Sequence, residues 1–214
     1  MVASAATGTG VFLVERGAAG LDVGPPLGIL GQRALPAAEL FLRDVAVDST
    51  ALLGTGRDGL TLAAGVFSRS RPLIAAYGAG LTQRCLDEAA GHARRRQSMG
   101  RPIIEHQAVG NKIAEMGMRL EAARLLTYQA AWLCDTGEPS ALQAAYAKTF
   151  AADTAMFAAT ETLQIFGSRG YSTAQPIEKL FRDAKLLQIY EGTQEINRLI
   201  MARELSRSRP ASPA

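Results

Sequence analysis

Histidine and cysteine are both scarce in this 214-residue chain, with two of each. Cys85 and Cys134 lie in different helix-like segments, without a CxxC pair or histidine-rich company, so neither a disulfide framework nor a metal site is expected and both read as buried fillers. Lysine is nearly as rare: Lys112, Lys148, Lys179 and Lys185 are the only ones, and the rest of the positive charge is arginine. Basic and acidic residues nearly cancel, 23 against 20, which excludes the electrostatic footprint of a nucleic-acid-binding protein. No apolar run approaches the roughly 20 residues that span a bilayer. The opening MVASAATGTG has neither the basic n-region nor the apolar h-region of a secretory signal, so a cytoplasmic location and no membrane partner are expected. GxGxxG, the P-loop, GxSxG and HExxH are all missing, which removes the common phosphate-cradle, serine-hydrolase and zinc-protease signals.

What is present is the balance of a packed globule, 48% hydrophobic and 20% charged. The character of the chain changes near residue 56. Before it, VFLVE (Val11 to Glu15) and ELFLRDVAV (Glu39 to Val47) read as strands, joined by a segment dense in glycine and proline. Two or three strands cannot close a barrel or sandwich, so this stretch reads as a partial β domain, over 11–55 after a flexible 1–10, and it needs partners from elsewhere.

After the boundary the sequence turns helical. Leu60, Ala63, Phe67, Arg71, Ile74, Gly78, Leu81, Cys85 and Glu88 step by three or four and predict one long amphipathic helix from about Asp58 to Gln97, with Pro72 bending it and GRPI ending it. Further helices are predicted from about Glu105 to Asp135, Ser140 to Phe166, Gln175 to Gln188 and Gln194 to Arg207. Five helices joined by short turns, three of them very long, predict a mainly α fold, a long antiparallel bundle over 56–206 with a frayed tail over 207–214.

Few residues suggest chemistry unaided. His92, at the end of the first helix, reads as a solvated residue interacting with the helix dipole, and His106 as either a capping or interface residue or a ligand contact. Arg94 to Arg96 either complement the same dipole or turn one fork toward a pyrophosphate. In QIYEGTQEINRL (Gln188 to Leu199), Gly192 permits a tight turn and Thr193 is a candidate N-cap. From its residues alone Glu191 reads as a solvated loop carboxylate; the alternative is a desolvated general base.

From about residue 11 to residue 206 the chain resembles the C-terminal half of the flavin-dependent acyl-CoA dehydrogenases, particularly the medium-chain type. The resemblance is carried by SRSRP (Ser68 to Pro72), LDEAAGHARRRQSMGRPIIEHQ (Leu86 to Gln107), RLLTYQAAWLCDTG (Arg124 to Gly137), TETLQIFGSRGYS (Thr160 to Ser172) and above all PIEKLFRDAKLLQIYEGTQEINRLIMARE (Pro176 to Glu204).

The resemblance implies α,β-dehydrogenation of an acyl-CoA thioester, or an acyl carrier protein thioester, with hydride transfer to FAD. It places Glu191 at the catalytic base and Arg71 and Gly192 beside the acyl thioester. Relatives of the isovaleryl type carry their base at or next to the position of Ser70, where this chain has serine. Arg96 and Gln107 match positions that reach the FAD of a neighbouring subunit, as do Gln164, Gly167 and Ser168 in the family's QILGG stretch. Thr193 and Glu195 match the TSQ positions beside the base.

Departures accompany the matches. Ser168 and Arg169 stand where the family usually has glycine and asparagine, Glu195 stands where glutamine is common, and Ser68 replaces a frequent acid. A complete relative also has an N-terminal helical domain and a whole β domain before the position of Val11. The chain is therefore expected to act as a homo-oligomer, or as a heteromer with a chain supplying those parts. Electron-transfer flavoprotein is the candidate acceptor that the resemblance suggests, and the residues themselves leave the acceptor open. The alternatives are a non-catalytic assembly subunit and a flavin-free enzyme acting on acyl thioesters.

Overall fold

The computed structural model describes residues 2–5, 8–56 and 58–208, with side chains from residue 8 to residue 207 save Arg57. The expected frayed tail lies mostly outside the described residues. The chain divides into two compact units at Phe67 and Ser68.

The first unit carries the strands. β1 (Val2–Ala5), β2 (Gly8–Phe12) and β5 (Leu52–Leu53) form an antiparallel sheet in the order β1-β2-β5, with Val11 opposite Leu53. β3 (Leu21–Val23) and β4 (Leu40–Leu42) pair separately, Asp22 opposite Phe41. Strand pairing thus begins inside the segment expected to be flexible, because Gly8 to Val11 pair with β1, and Val11 and Phe12 pair with β5. The other strands are shorter than their sequence runs. Gly20 sits at φ 84°, where a Cβ would lie 2.1 Å from the Arg43 carbonyl oxygen, so only glycine can enter β3 at this point. Val23, Leu40, Phe41 and Leu42 stay exposed, as expected of ladders too short to make a core.

The first turns of α1 (Gly59–Arg95) belong to this unit, since a Cβ at Gly59 would lie 2.6 Å from the Thr9 carbonyl oxygen. The predicted stripe is exposed here, at Leu60 and Phe67. From Ser68 onward it is buried: Ser68, Arg71, Ala75, Ala79, Thr82, Cys85, Ala89 and Ala93 repeat at helical spacing.

The second unit is the helical bundle that the periodicity predicts. It continues α1 and adds α2 (Gln107–Asp135), α3 (Ala141–Phe166), α4 (Ile177–Leu187) and α5 (Gln194–Ser208). α1 ends in a two-residue hairpin, β6 (Gln97–Ser98) with β7 (Arg101–Pro102), turned through Met99 and Gly100 at φ 53° and 77°. Ser140 caps α3 by accepting from the Gln143 N–H at 3.3 Å.

α3 is the central helix. Ala144, Ala145, Ala147, Ala151, Ala152, Ala155, Ala158 and Ala159 are all buried, so it is enclosed around most of its circumference. Alanine is what such a position demands: a Cβ at Gly78 of α1 would meet the Ala151 carbonyl oxygen at 3.0 Å, so the two backbones nearly touch. One lysine, Lys148, lies in this alanine surface with no exposed area.

Candidate active site

The turn between α4 and α5 holds Glu191 in the left-handed region at φ 56°, followed by Gly192 at φ 87°. A non-glycine residue there is uncommon and persists only where surrounding contacts enforce it. Three elements do so. From α1, the Arg71 Nε–H donates to the Glu191 carbonyl oxygen at 3.0 Å and the Ser70 hydroxyl donates to the Glu191 carboxylate Oε2 at 2.6 Å. From α3, the Lys148 ammonium donates to the Gly192 carbonyl oxygen at 2.8 Å and to Gln194 Oε1 at 3.3 Å. From α5, the Asn197 side-chain amide donates to the carbonyls of Gly192 at 2.7 Å and Thr193 at 3.0 Å. A side chain at position 192 would strike this cage, with its Cβ 3.2 Å from Arg71 Nη2 and 3.3 Å from Asn197 Nδ2.

The electrostatics follow from burial. Arg71 is buried, and desolvation lowers its pKa while the nearby Glu191 charge opposes the shift. Lys148 is brought down to about 8 by burial and by the Arg71 charge, against the pull of Asp153, Glu191 and Glu195. Asp153 anchors the far side: its Oδ1 accepts from Gln188 at 2.7 Å and Gln194 at 2.8 Å, and its Oδ2 accepts from Arg198 at 2.8 Å. Thr193 caps α5 weakly, accepting from the Ile196 N–H at 3.4 Å. Glu195 is exposed, and backbone and Thr193 hydrogen bonds hold its carboxyl below the usual range. The arrangement presents one carboxylate at an enforced turn, hydrogen-bonded by Ser70, with the Arg71 charge nearby and the Arg71 Nε–H on the carbonyl of the same residue.

A second constellation lies where α1 and α3 end. A cavity of about 410 Å³ is lined by Arg95, Arg96, Arg169, His92, Phe166 and Gln175, with Glu88 and Gln97. His92 stacks on Phe166 with ring centroids 4.1 Å apart and an interplanar angle of 19°. Its pKa is lowered by burial and then by the charges of Arg169, Arg95 and Arg96, which favour neutral imidazole. His92 is therefore a packed, half-buried ring and not the solvated dipole partner its position in sequence suggests. Glu88 is paired with Arg84 at 2.6 Å, which leaves guanidinium forks and amides as the predominant donors around the cavity. Such a donor set beside an aromatic stack suits a diphosphate attached to a flat heterocycle.

Of the residues assigned to a cofactor by resemblance, Arg96 lines this cavity. Gln164, Gly167 and Ser168 are exposed where α3 ends, beside Phe166, with Gly167 at φ 60°. Gln107 is exposed at the start of α2, next to His106, whose ring nitrogens lie 3.1 Å from the Ser98 carbonyl oxygen and 3.3 Å from the Arg101 guanidinium. Thr193 and Glu195 are not brought to the cavity; they flank the Glu191 turn. Arg71 and Arg95 are separated by about 36 Å along α1 at 1.5 Å per residue. Lys148, Asp153, Gln194 and Asn197, which shape the turn, are not among the residues that the sequence motifs single out. A lone cation in an otherwise alanine-rich helix is the signal that marks Lys148.

A model of the C-terminal domain of acyl-CoA dehydrogenases matches residues 57–206, and the chain belongs to this family. Cyclohexane-1-carbonyl-CoA dehydrogenase of Geobacter metallireducens is 42% identical over 198 residues, covering 92% of this chain and 52% of that protein. Butyryl-CoA dehydrogenase from Megasphaera elsdenii superimposes with a TM-score of 0.91 at 35% identity, over 94% of this chain and 52% of that one. A glutaryl-coenzyme A dehydrogenase in complex with glutaryl-CoA gives 0.90 at 35% identity, over 97% and 53%. The chain spans about half the length of the relatives it matches.

Proposed function

We propose that this chain forms the base-bearing half of an FAD-dependent acyl-CoA dehydrogenase, with Glu191 as the base for the α-proton of an acyl-CoA thioester. The observation that carries the reading is the enforced left-handed conformation of Glu191, with its carbonyl held by Arg71 and its carboxylate by Ser70. The Glu191 carboxylate takes the proton from the thioester Cα. FAD, when bound, supplies the acceptor for the hydride that leaves Cβ, and the C=C bond forms between the two carbons. Arg71, bound to the carbonyl of the same residue, keeps positive charge near the negative charge that develops on the thioester oxygen. Gly192, lacking a side chain, keeps the turn open beside the base.

The arginine-lined cavity fits the diphosphate and adenine end of FAD by its donors and its His92–Phe166 stack. Arg95, Arg96 and Arg169 would hold the diphosphate, with Gln107, Gln164, Gly167 and Ser168 around the nucleotide. Being some 36 Å from the base along α1, this cavity and Glu191 would serve two different flavins. The active unit is therefore an oligomer in which one copy lends its cavity to the flavin of another. The outer face of α2 supports this: Met118, Leu125, Tyr128 and Trp132 share one side and are 62–69% exposed, a stripe that a second copy would cover.

The test is the visible spectrum of the purified protein with FAD quantified against protein, before and after anaerobic addition of a saturated acyl-CoA. Bound flavin that bleaches supports the reading. A protein that takes up FAD but is not bleached by any acyl-CoA contradicts it.

A further inference from the structure

The Lys148 ammonium has no solvent contact, and its two named acceptors both belong to the segment that follows Glu191. One is the Gly192 carbonyl. The other is the Gln194 side chain, which is itself fixed from behind, its amide donating to the Thr149 carbonyl oxygen at 2.9 Å and to Asp153 at 2.8 Å. Burying a cation is costly unless its donors are satisfied, so this placement needs a return that an apolar residue could not give. The return is geometric. The carbonyls of Glu191 and Gly192 are tied by Arg71 and Lys148 respectively, which fixes the two peptide planes that flank Gly192 and, through the first of them, the place of the Glu191 Cα.

We propose that Lys148, oriented by Gln194 and Asp153, is a positioning residue that locks the Glu191–Gly192 turn, and that losing its proton slackens the turn. The catalytic half of this inference rests on Glu191 being the base; the turn-locking half does not. A charged donor bonds a carbonyl about twice as strongly as a neutral amine, so deprotonation weakens the grip without removing it. The groups facing the ammonium are Arg71 from α1, Asp153 on its own helix, Glu191 in the turn and Glu195 on α5. Neutralising Lys148 would leave Arg71 as the one cation among them. Burial and Arg71 bring the Lys148 pKa to about 8, so the change falls within an ordinary assay range.

The experiment compares wild type, Lys148→Met, Lys148→Arg and Glu191→Gln by amide hydrogen exchange over 188–197, corrected for the intrinsic effect of pH, together with steady-state kinetics of the FAD-loaded protein. Methionine fills the stem without donors. Exchange in the turn is expected to rise about tenfold in Lys148→Met at pH 7, the effect of losing a charge-assisted bond, with α2 unchanged. Wild type is expected to lose protection in the same segment as pH passes 8, and Lys148→Met to show no such step. Turnover of Lys148→Met is expected to fall with KM nearly constant, and Lys148→Arg to recover part of the protection. Gln194→Ser, which spares α3, is expected to show the same acceleration at smaller size and keeps the test open if Lys148→Met does not fold.

Unchanged exchange in both Lys148→Met and Gln194→Ser would overturn the proposal whatever the kinetics. Faster exchange in Lys148→Met, with Glu191→Gln turning over as fast as wild type, would keep the turn-locking role and remove Glu191 as the base.

Discussion

The Ser70 hydroxyl donates to Glu191 Oε2 at 2.6 Å, across 121 residues of sequence. It bears on the carboxylate itself, while the Arg71 Nε–H and the Lys148 ammonium bond the backbone carbonyls beneath it. A hydrogen bond to a charged group contributes roughly 1.5–3 kcal/mol, so Ser70→Ala is expected to lower kcat by about tenfold or more through a wandering carboxylate. KM and the far-ultraviolet circular dichroism should stay near wild type. Steady-state kinetics on the FAD-loaded protein check this, and a KM effect without a kcat effect would mean that Ser70 serves binding instead.

Gly192 should tolerate no side chain. At φ 87° an alanine is strained by about 1–3 kcal/mol, and its Cβ would press on Arg71 and Asn197 at 3.2 and 3.3 Å. Gly192→Ala is expected to lose about that much stability in urea unfolding and most of its activity. Gly65, with nothing within 4 Å of an added Cβ and an ordinary helical setting, is the control at which alanine should be neutral or stabilising.

Lys148 makes opposite predictions for stability and for activity. Its folded pKa, about 8, lies below the ordinary 10.5, so between those values the unfolded chain binds the extra proton and stability rises with pH. Below about pH 8 the cost of burying the cation is fully present; above about 10.5 it is gone. Subtracting the stability of Lys148→Met from that of wild type should therefore give a difference that climbs with pH across this window. At pH 7 the methionine variant should be at least as stable as wild type while being less active. Urea titrations at a series of pH values check the sign, and a difference that falls with pH would contradict the burial argument.

At the cavity, Arg96→Ala and Arg169→Ala are each expected to weaken FAD retention by about tenfold or more, the worth of a charge-assisted fork. His92 supplies a readout independent of activity. Its pKa is lowered by burial and by Arg169, Arg95 and Arg96, so the folded state resists protonation and stability falls as pH drops below about 6.5. An added pyrophosphate would offset those arginine charges and move the His92 titration upward, which proton resonances of the imidazole would follow. No movement at saturating pyrophosphate would place the anion elsewhere.

Much of the bundle was legible because helix contacts repeat locally. The helix predicted from about Asp58 to Gln97 is observed as Gly59–Arg95, and that from about Ser140 to Phe166 as Ala141–Phe166. The strands were less legible. The run from Glu39 to Val47 yields only Leu40–Leu42, because a strand ends where its partner does and β3 is three residues long. At the site, the YEGT turn and Arg71 were visible by resemblance, and the structure brings them together. The left-handed φ of Glu191 and its bond to Ser70 were not visible, because they depend on two segments meeting across 121 residues. Lys148 went unmarked for the same reason, since its two acceptors lie 44 and 46 residues away. His92 looked solvated because Phe166, its stacking partner, ends a different helix.

The central claim is that Glu191 removes the α-proton, and the most direct test is anaerobic stopped-flow bleaching of the flavin by a saturated acyl-CoA, in wild type and in Glu191→Gln. Both proteins should bind FAD and acyl-CoA equally, because Ser70, Arg71, Lys148 and the arginine cavity are untouched. Wild type is expected to bleach rapidly, and Glu191→Gln to be slower by a factor of at least about 100, the low end of general-base catalysis. Equal bleaching rates in the two proteins would contradict the account and send the search for the base to another side chain.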